Sequence, residues 1–217
     1  MTLAEESFTT VFSAALQGQP CQVVGLGEQA EALPVARWAL DADDSDHEML
    51  ALCTGPTLDI GCGPGRMTAA LAARGHQVLG IDVVHEAVGQ TLSRGVSAVR
   101  VDVFDDLPGE GSWQTALLAD GNVGIGGDPV ALLRRVRQLL GADGRAVVEV
   151  AGPGVAAVSA WATLEAGGLR SRPFRWAVLG VDDLPLVARR SGFARPRLHS
   201  LPAVGGERWV AVLHPHR

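Results

Sequence analysis

Lysine and tyrosine are absent from this chain of 217 residues, and asparagine occurs once, at Asn122. All 18 basic residues are therefore Arg. Without Lys there is no Schiff-base enzyme and no phosphate-loop lysine. Without Lys and Tyr together, the Tyr–Lys proton relay of short-chain dehydrogenases is impossible. The three cysteines, Cys21, Cys53 and Cys62, are odd in number and lack C-x-x-C spacing. Neither a disulfide framework nor a zinc site is indicated, and a reducing cytoplasm fits. The apolar stretch from Ala146 to Leu164 contains Glu149 and Gly152-Pro153-Gly154, which break any spanning helix. The acidic start, Met-Thr-Leu-Ala-Glu-Glu, carries no signal-peptide apolar region, so a soluble cytoplasmic protein without a membrane partner is expected. A net charge of −6 argues against binding driven by nucleic-acid phosphates. The Arg groups at 134–137 and 170–197 read as solvated charges.

Hydrophobic residues make up 47% of the chain and charged residues 19%, enough apolar material for one real core. Residues 1–19 read as an amphipathic helix, with Phe8, Val11, Phe12, Ala15 and Leu16 at helical spacing. A short strand at Cys21–Val24 follows. The acids from Asp41 to Glu48 read as the start of a helix carrying Met49 and Leu50 rather than as a metal site, and no metal is expected. From Thr57 the pattern alternates strand and helix: strands at 57–60, 77–81, 98–101, 115–119 and 145–150, and helices at 67–74, 86–94 and 129–140. Asp128 caps the last of these helices, Pro129 opens it and Gly141 ends it. After an irregular segment come a helix near 182–191 and strands near 197–200 and 208–213. Such alternation implies an open, doubly wound parallel sheet with helices on both faces. The expected division is a helical N-terminal lid over residues 1–51 and a ligand-binding α/β domain over residues 52–217.

The strongest local signal is Leu58-Asp59-Ile60-Gly61-Cys62-Gly63-Pro64-Gly65-Arg66. Glycines between a strand and a helix let backbone approach a ligand where a Cβ would collide. The spacing is G-x-G-x-G rather than the dinucleotide G-x-G-x-x-G, and Asp59 would repel a pyrophosphate while suiting a cationic amino group. That disfavours a nicotinamide-dependent oxidoreductase. Asp82 ends the second strand 21 residues after Gly61, where an acid can accept both hydroxyls of a ribose. Asp102 ends the third strand and can accept from an adenine amino group, with Val83 and Val103 sandwiching the ring.

Taken in order and spacing, Asp59-Ile-Gly-Cys-Gly-Pro-Gly65, Gly80-Ile-Asp82, Val101-Asp102-Val103 and Leu139-Leu-Gly-Ala-Asp-Gly-Arg145 resemble the class I S-adenosylmethionine-dependent methyltransferases. The resemblance implies a Rossmann-like, mostly parallel seven-stranded sheet whose last strand is inserted antiparallel. It also implies S-adenosylmethionine as cofactor, with Gly61, Cys62, Gly63 and Gly65 in the turn around its methionine and ribose portions. Asp82 would hold the ribose, and Asp102 with Val103 the adenine.

In that architecture the loop Ala119–Pro129 faces both the sulfonium and the acceptor, which makes Asp120 and Asn122 the catalytic candidates. The loop lacks the Asn/Asp-Pro-Pro-aromatic pattern of the enzymes that methylate amino groups of nucleic acids. Together with the acidic charge, this points to a small-molecule acceptor and no nucleic-acid partner; the acceptor itself and the oligomeric state stay open. Asp120, His85 and His199 are candidate bases, and His214-Pro215-His216 reads as a solvated tail. Acceptor selection falls to residues 1–51 and 152–181, where Trp38, Trp161, Phe174 and Trp176 lie and where Arg37 and Arg175 could bind an anionic group. The alternative is a non-catalytic cofactor-binding sensor with the same fold.

Overall fold

The computed structural model of the protein describes residues 3–216. The N-terminal part runs β1 (Ala4–Glu6), α1 (Phe8–Leu16), β2 (Cys21–Val24), β3 (Glu31–Ala32), α2 (Val35–Trp38) and α3 (Asp44–Leu50). The helix expected over residues 1–19 is thus shorter and preceded by a strand, the strand expected at Cys21–Val24 is present, and strands alternate with helices where a helical lid was expected. Of that expected helix, Met1 and Thr2 lie outside the described residues. Ser7 accepts from Thr10 N–H at 3.1 Å and starts α1 only after β1 has ended. Asp43 and Asp46 form a reciprocal capping box on α3, so the acidic cluster serves as a helix start.

Next come β4 (Thr57–Ile60), α4 (Arg66–Ala73), β5 (Val78–Asp82), α5 (His85–Ser93), β6 (Ala98–Arg100), β7 (Trp113–Leu118), α6 (Pro129–Leu139) and β8 (Leu140–Val150). Asp128 caps α6 and Pro129 opens it. Gly141 does not end α6: Leu140 is already extended, and the chain passes straight from helix into an 11-residue strand. The segment after β8 is not irregular either. It forms β9 (Val158–Ala166), β10 (Leu169–Ser171) and β11 (Phe174–Val178), before α7 (Leu184–Arg190), β12 (Arg197–Ala203) and β13 (Gly206–Leu213).

Two sheets result. The seven-stranded sheet has the order β12-β13-β8-β7-β4-β5-β6. β4 to β8 are parallel, while β13 runs antiparallel between β8 and β12, as the resemblance implied. Its central strands are apolar on both faces. In β7, Ala116 and Leu118 join the core that includes α6 and α7, and Leu117 joins the core under α3 and α4. The second sheet has the order β1-β10-β9-β2-β3, with β11 paired to the other part of β9. It draws strands from residues 4–32 and from residues 158–178. Along β9, Ala162, Leu164 and Ala166 are buried against Val23, α1 and Phe174, while Trp161 points to solvent. This sheet and α1 stand over the carboxyl ends of β4, β5 and β7 and close the top of the binding cleft.

Candidate active site

Strand β4 delivers Asp59 to the cleft floor, with all four strand residues buried. Its carboxylate accepts from Thr68 Oγ1 at 2.6 Å. Burial, with smaller contributions from neighbouring Asp120 and Asp82 and against the opposing Thr68 bond, raises the Asp59 pKa to about 7. The chain then turns through Gly61 to Gly65. Gly61 and Cys62 N–H groups donate to Ile81 O at 2.9 and 3.0 Å, tying the turn to β5. Gly63 has φ +53°, and a Cβ there would meet no protein atom within 4 Å although the residue borders the cleft. Open space beside left-handed backbone is a cradle for a ligand, and only glycine takes that conformation without strain.

Gly65 does not reach the cleft. It caps α4, and a Cβ there would strike Thr91 Oγ1 at 2.6 Å. Cys62 lines the cleft, but its sulfur lies 3.7 Å from both Gly63 O and Thr91 Oγ1, and burial pushes the thiol well above its ordinary pKa. A nucleophilic role is thereby disfavoured.

Asp82 ends β5. One carboxylate oxygen accepts from Gly63 N–H at 3.0 Å and the other from Val84 N–H at 2.9 Å. Burial raises its pKa, and these backbone bonds oppose the rise. Val83, Asp102 and Val103 complete that end of the cleft. Asp102 accepts from Phe104 N–H at 3.0 Å, which orients its carboxylate.

Asp120 is the sole non-glycine with positive φ, +51°, among the described residues. Such strain persists where surroundings over-determine it and gathers at functional sites. Here Asp120 N–H donates to Glu149 Oε2 at 2.6 Å, and its carboxylate accepts from Arg66 Nη2 at 2.7 Å. Burial raises its pKa and Arg66 opposes the rise. The network extends inward: Arg66 also pairs with buried Asp46, and Arg208 of β13 bridges Asp46 at 2.5 Å and Glu149 at 2.7 Å. Sequence reasoning missed Arg66, Asp46, Glu149 and Arg208 as a unit. They come from four elements, and no local pattern joins them.

Asn122 borders the cleft, but its amide nitrogen donates to Ile60 O and Gly61 O, each at 2.9 Å. Its donor braces the glycine turn. Gly124 and Gly127 of this loop serve β11: a Cβ on Gly124 would lie 2.0 Å from Ala177 O and 2.7 Å from Trp176 Nε1, and one on Gly127 2.8 Å from Arg175 Cβ. Close packing of strand on loop, sealed by the Ile125–Trp176 bridge, accounts for those glycines.

The cleft is a single cavity of about 500 Å³. Trp38, Phe174 and Trp176 line it, while Trp161 does not and is 62% exposed. The expectation for an arginine pair fails in part. Arg37 lies outside the cavity, 2.8 Å from Asp43. Arg175 reaches the rim, but its guanidinium donates to Ser159 Oγ at 2.6 Å and lies 5.4 Å from the Trp161 ring centre. His85 and His199 are not among the cavity residues, and His199 Nε2 is buried without a partner on β12. The described residues hold no cluster able to bind a metal, and no described helix is long and apolar enough to cross a membrane.

Residues 57–144 match the family model described as a methyltransferase domain. Residues 57–144 are thus a methyltransferase domain, and the fold around them is that of the class I S-adenosylmethionine-dependent methyltransferases. The chain is accordingly an enzyme that uses S-adenosylmethionine. Among solved structures, it is similar to an S-adenosylmethionine-dependent methyltransferase from Bacteroides fragilis in complex with S-adenosylhomocysteine. That likeness has 21% identity, a TM-score of 0.77, and covers 96% of this chain and 94% of that one. It is similar to 1,6-didemethyltoxoflavin-N1-methyltransferase from Burkholderia thailandensis at 21% identity and TM-score 0.58, covering 80% and 77% of the two chains. It is also similar to a sugar N-methyltransferase from Streptoalloteichus at 14% identity and TM-score 0.57, covering 82% and 88%. No curated protein matches the sequence.

The methyltransferase cavity fits its cofactor on the structure's own terms. Asp59, Asp82 and Asp120 all have raised pKa values beside the open cradle at Gly63. A ligand carrying a sulfonium and an ammonium brings positive charge to Asp59 and Asp82, whose hydrogen bonds come from a hydroxyl and from backbone N–H groups; Asp120 already has Arg66.

Proposed function

We propose that this methyltransferase transfers the methyl group to a small molecule that enters the cavity beneath the second sheet. One observation carries the reading: a single cavity of about 500 Å³ is bordered both by the glycine turn with its acids and by the aromatic rings of α1, α2 and β11. Pockets of roughly 300–1,000 Å³ take single small ligands, and this one must take cofactor and acceptor together. A cavity of that size supports a single small acceptor, and the chain's net charge of −6 disfavours a polyanion.

Within that reading, Asp82 binds the ribose hydroxyls, and Asp102, Val83 and Val103 hold the adenine. Asp59 faces the amino group directly or through water, and the backbone of Gly61, Cys62 and Gly63 cradles the methionine and ribose portions. Gly65 shapes the turn from outside the cavity. The bound cofactor supplies an electrophilic methyl on a sulfonium. The protein's part is then chiefly to align the acceptor, for which positioning can contribute about 7–11 kcal/mol. Asp120 borders the reacting end of the cavity, and Asn122 positions the glycine turn beneath it. Residues 4–50 together with β9–β11 form the acceptor-selecting cap on the α/β domain.

The test begins with calorimetric titration by S-adenosylhomocysteine, with NAD as control and Asp82→Ala alongside. Binding of S-adenosylhomocysteine alone, lost in the variant, is the expected result. Methyl-labelled cofactor is then offered with a panel of small molecules and with nucleic acid. Label recovered in nucleic acid rather than in a small molecule would sink the proposal.

A further inference from the structure

We infer that the acceptor is an uncharged aromatic molecule of one or two rings, stacked among the side chains that the second sheet and the N-terminal helices turn inward. This rests on the methyltransferase reading above. Phe12, Leu33, Trp38, Leu164, Phe174 and Trp176 border the cavity on that side. Apart from Arg175 at the rim, every side chain contributed there by residues 8–38 and 164–176 is apolar. The rings are mutually braced: Phe8 meets Phe174 edge-on at 4.8 Å, Phe174 meets Trp176 edge-on at 6.3 Å, and Phe12 lies 6.2 Å from Trp38. Braced aromatic walls bind flat rings by stacked and edge-to-face contacts.

The same walls discriminate against other acceptors. A sugar would lose water from several hydroxyls and find almost no partners on this side, and each unpaired buried hydroxyl costs about tenfold in affinity. Among the cavity residues an anion has only Arg175, at the rim, to meet. Arg66 is neutralised by Asp46 and Asp120, while Arg175 is turned onto Ser159 and Trp161. The acids that border the cavity, Asp59, Asp82, Asp102 and Asp120, would repel it as well. A cation would compete with the cofactor for those same acids.

In the transfer, a lone pair on the acceptor's nitrogen, oxygen or sulfur forms the bond to the methyl carbon as the carbon–sulfur bond breaks and its electron pair passes to sulfur. The positive charge moves to the acceptor and leaves as a proton where the attacked atom carried one.

The test uses the full chain saturated with S-adenosylhomocysteine, titrated in a calorimeter with 2-naphthol, 2-naphthoate and glucosamine. The expected order is 2-naphthol at least tenfold tighter than 2-naphthoate, with glucosamine silent. Trp38→Ala is expected to weaken 2-naphthol by about tenfold, since it removes an aromatic wall. Phe12→Asp, which buries a carboxylate in that wall, is expected to abolish its binding. S-adenosylhomocysteine affinity in both variants stays within about twofold of wild type, which also reports that the cofactor domain is folded. Should Phe12→Asp fail to fold, the wild-type ranking and Trp38→Ala decide. Tighter binding of naphthoate or glucosamine, no binding of 2-naphthol to the loaded protein, or naphthol binding unmoved by the variants overturns the inference. If S-adenosylhomocysteine itself fails to bind wild type, the methyltransferase reading falls and takes this one with it. Cofactor binding without naphthol binding overturns this inference alone.

Discussion

Arg208 of β13 donates to Asp46 of α3 at 2.5 Å, joining residues 162 positions apart directly behind Asp120. Both side chains are almost wholly buried, at 6% and 0% exposure. Their partners, Arg66 and Glu149, make the arrangement a closed charge cluster rather than a surface pair. A buried cluster adds little over an apolar replacement, yet removing one member strands the rest. Arg208→Met is therefore expected to lower unfolding free energy by about 3–5 kcal/mol in urea titrations. Adding Glu149→Gln should recover part of that loss, since the stranded carboxylate is then gone. A single-variant loss below about 1 kcal/mol would contradict the account.

Cofactor affinity should depend on pH through Asp59. Its folded pKa of about 7 lies above the ordinary 3.8. Between those values the folded apo-protein holds a proton that the unfolded chain has lost. Asp59 therefore lowers stability progressively as pH rises from about 4 to 7. A cationic ligand favours the carboxylate, so S-adenosylmethionine binds more tightly as pH rises through 7, and binding below 7 releases protons. Titration in buffers of different ionisation enthalpy reads that release directly. Asp59→Asn should flatten the pH dependence; an unchanged slope in the variant would assign the effect elsewhere.

Gly63→Ala separates ligand contact from scaffold. A left-handed alanine costs roughly 1–2 kcal/mol, but the new methyl meets no protein atom within 4 Å. The expected outcome is a modest drop in Tm with at least tenfold weaker S-adenosylhomocysteine binding. A variant that binds as wild type does would remove Gly63 from the cofactor cradle.

Gly124→Ala tests the strand-on-loop contact. Its Cβ would lie 2.0 Å from Ala177 O, so β11 must move. Overpacking of this kind costs typically about 1–3 kcal/mol. Displacing Phe174 and Trp176 should depress methyl transfer far more than S-adenosylhomocysteine binding. Equal loss of both would mean that the loop, not β11, is what the alanine disturbs.

The α/β sheet was legible in the sequence because short, mostly apolar strands alternate with helices whose starts and turns carry Gly, Pro and Asp signals. Asp59 lies in β4 and Asp82 ends β5 as read, whereas Asp102 falls two residues beyond β6, which ends at Arg100. Of the second sheet only β2 was read, although β9 alternates Ala160, Ala162, Leu164 and Ala166 with Ser159, Trp161, Thr163 and Glu165. Alanine is a weak strand former, and the flanking Gly and Pro residues masked the period of two. Asn122 was singled out for its rarity, yet its amide braces Ile60 and Gly61. The Arg66–Asp46–Arg208–Glu149 cluster depends on contacts across the chain, which no local window contains.

The second sheet also sets an order of events during synthesis. Gln22 of β2 meets Glu165 of β9, 143 positions later in the chain, at 2.7 Å. The earliest strands to leave the ribosome must therefore wait, with an unpaired edge and the apolar residues of α1 uncovered, until nearly four-fifths of the chain has been made. The α/β domain can begin to assemble in that interval, so the cofactor's seat takes shape before the wall that recognises the acceptor. A nascent chain halted before β9 would present apolar strands to solvent and become a client for chaperones rather than a smaller enzyme.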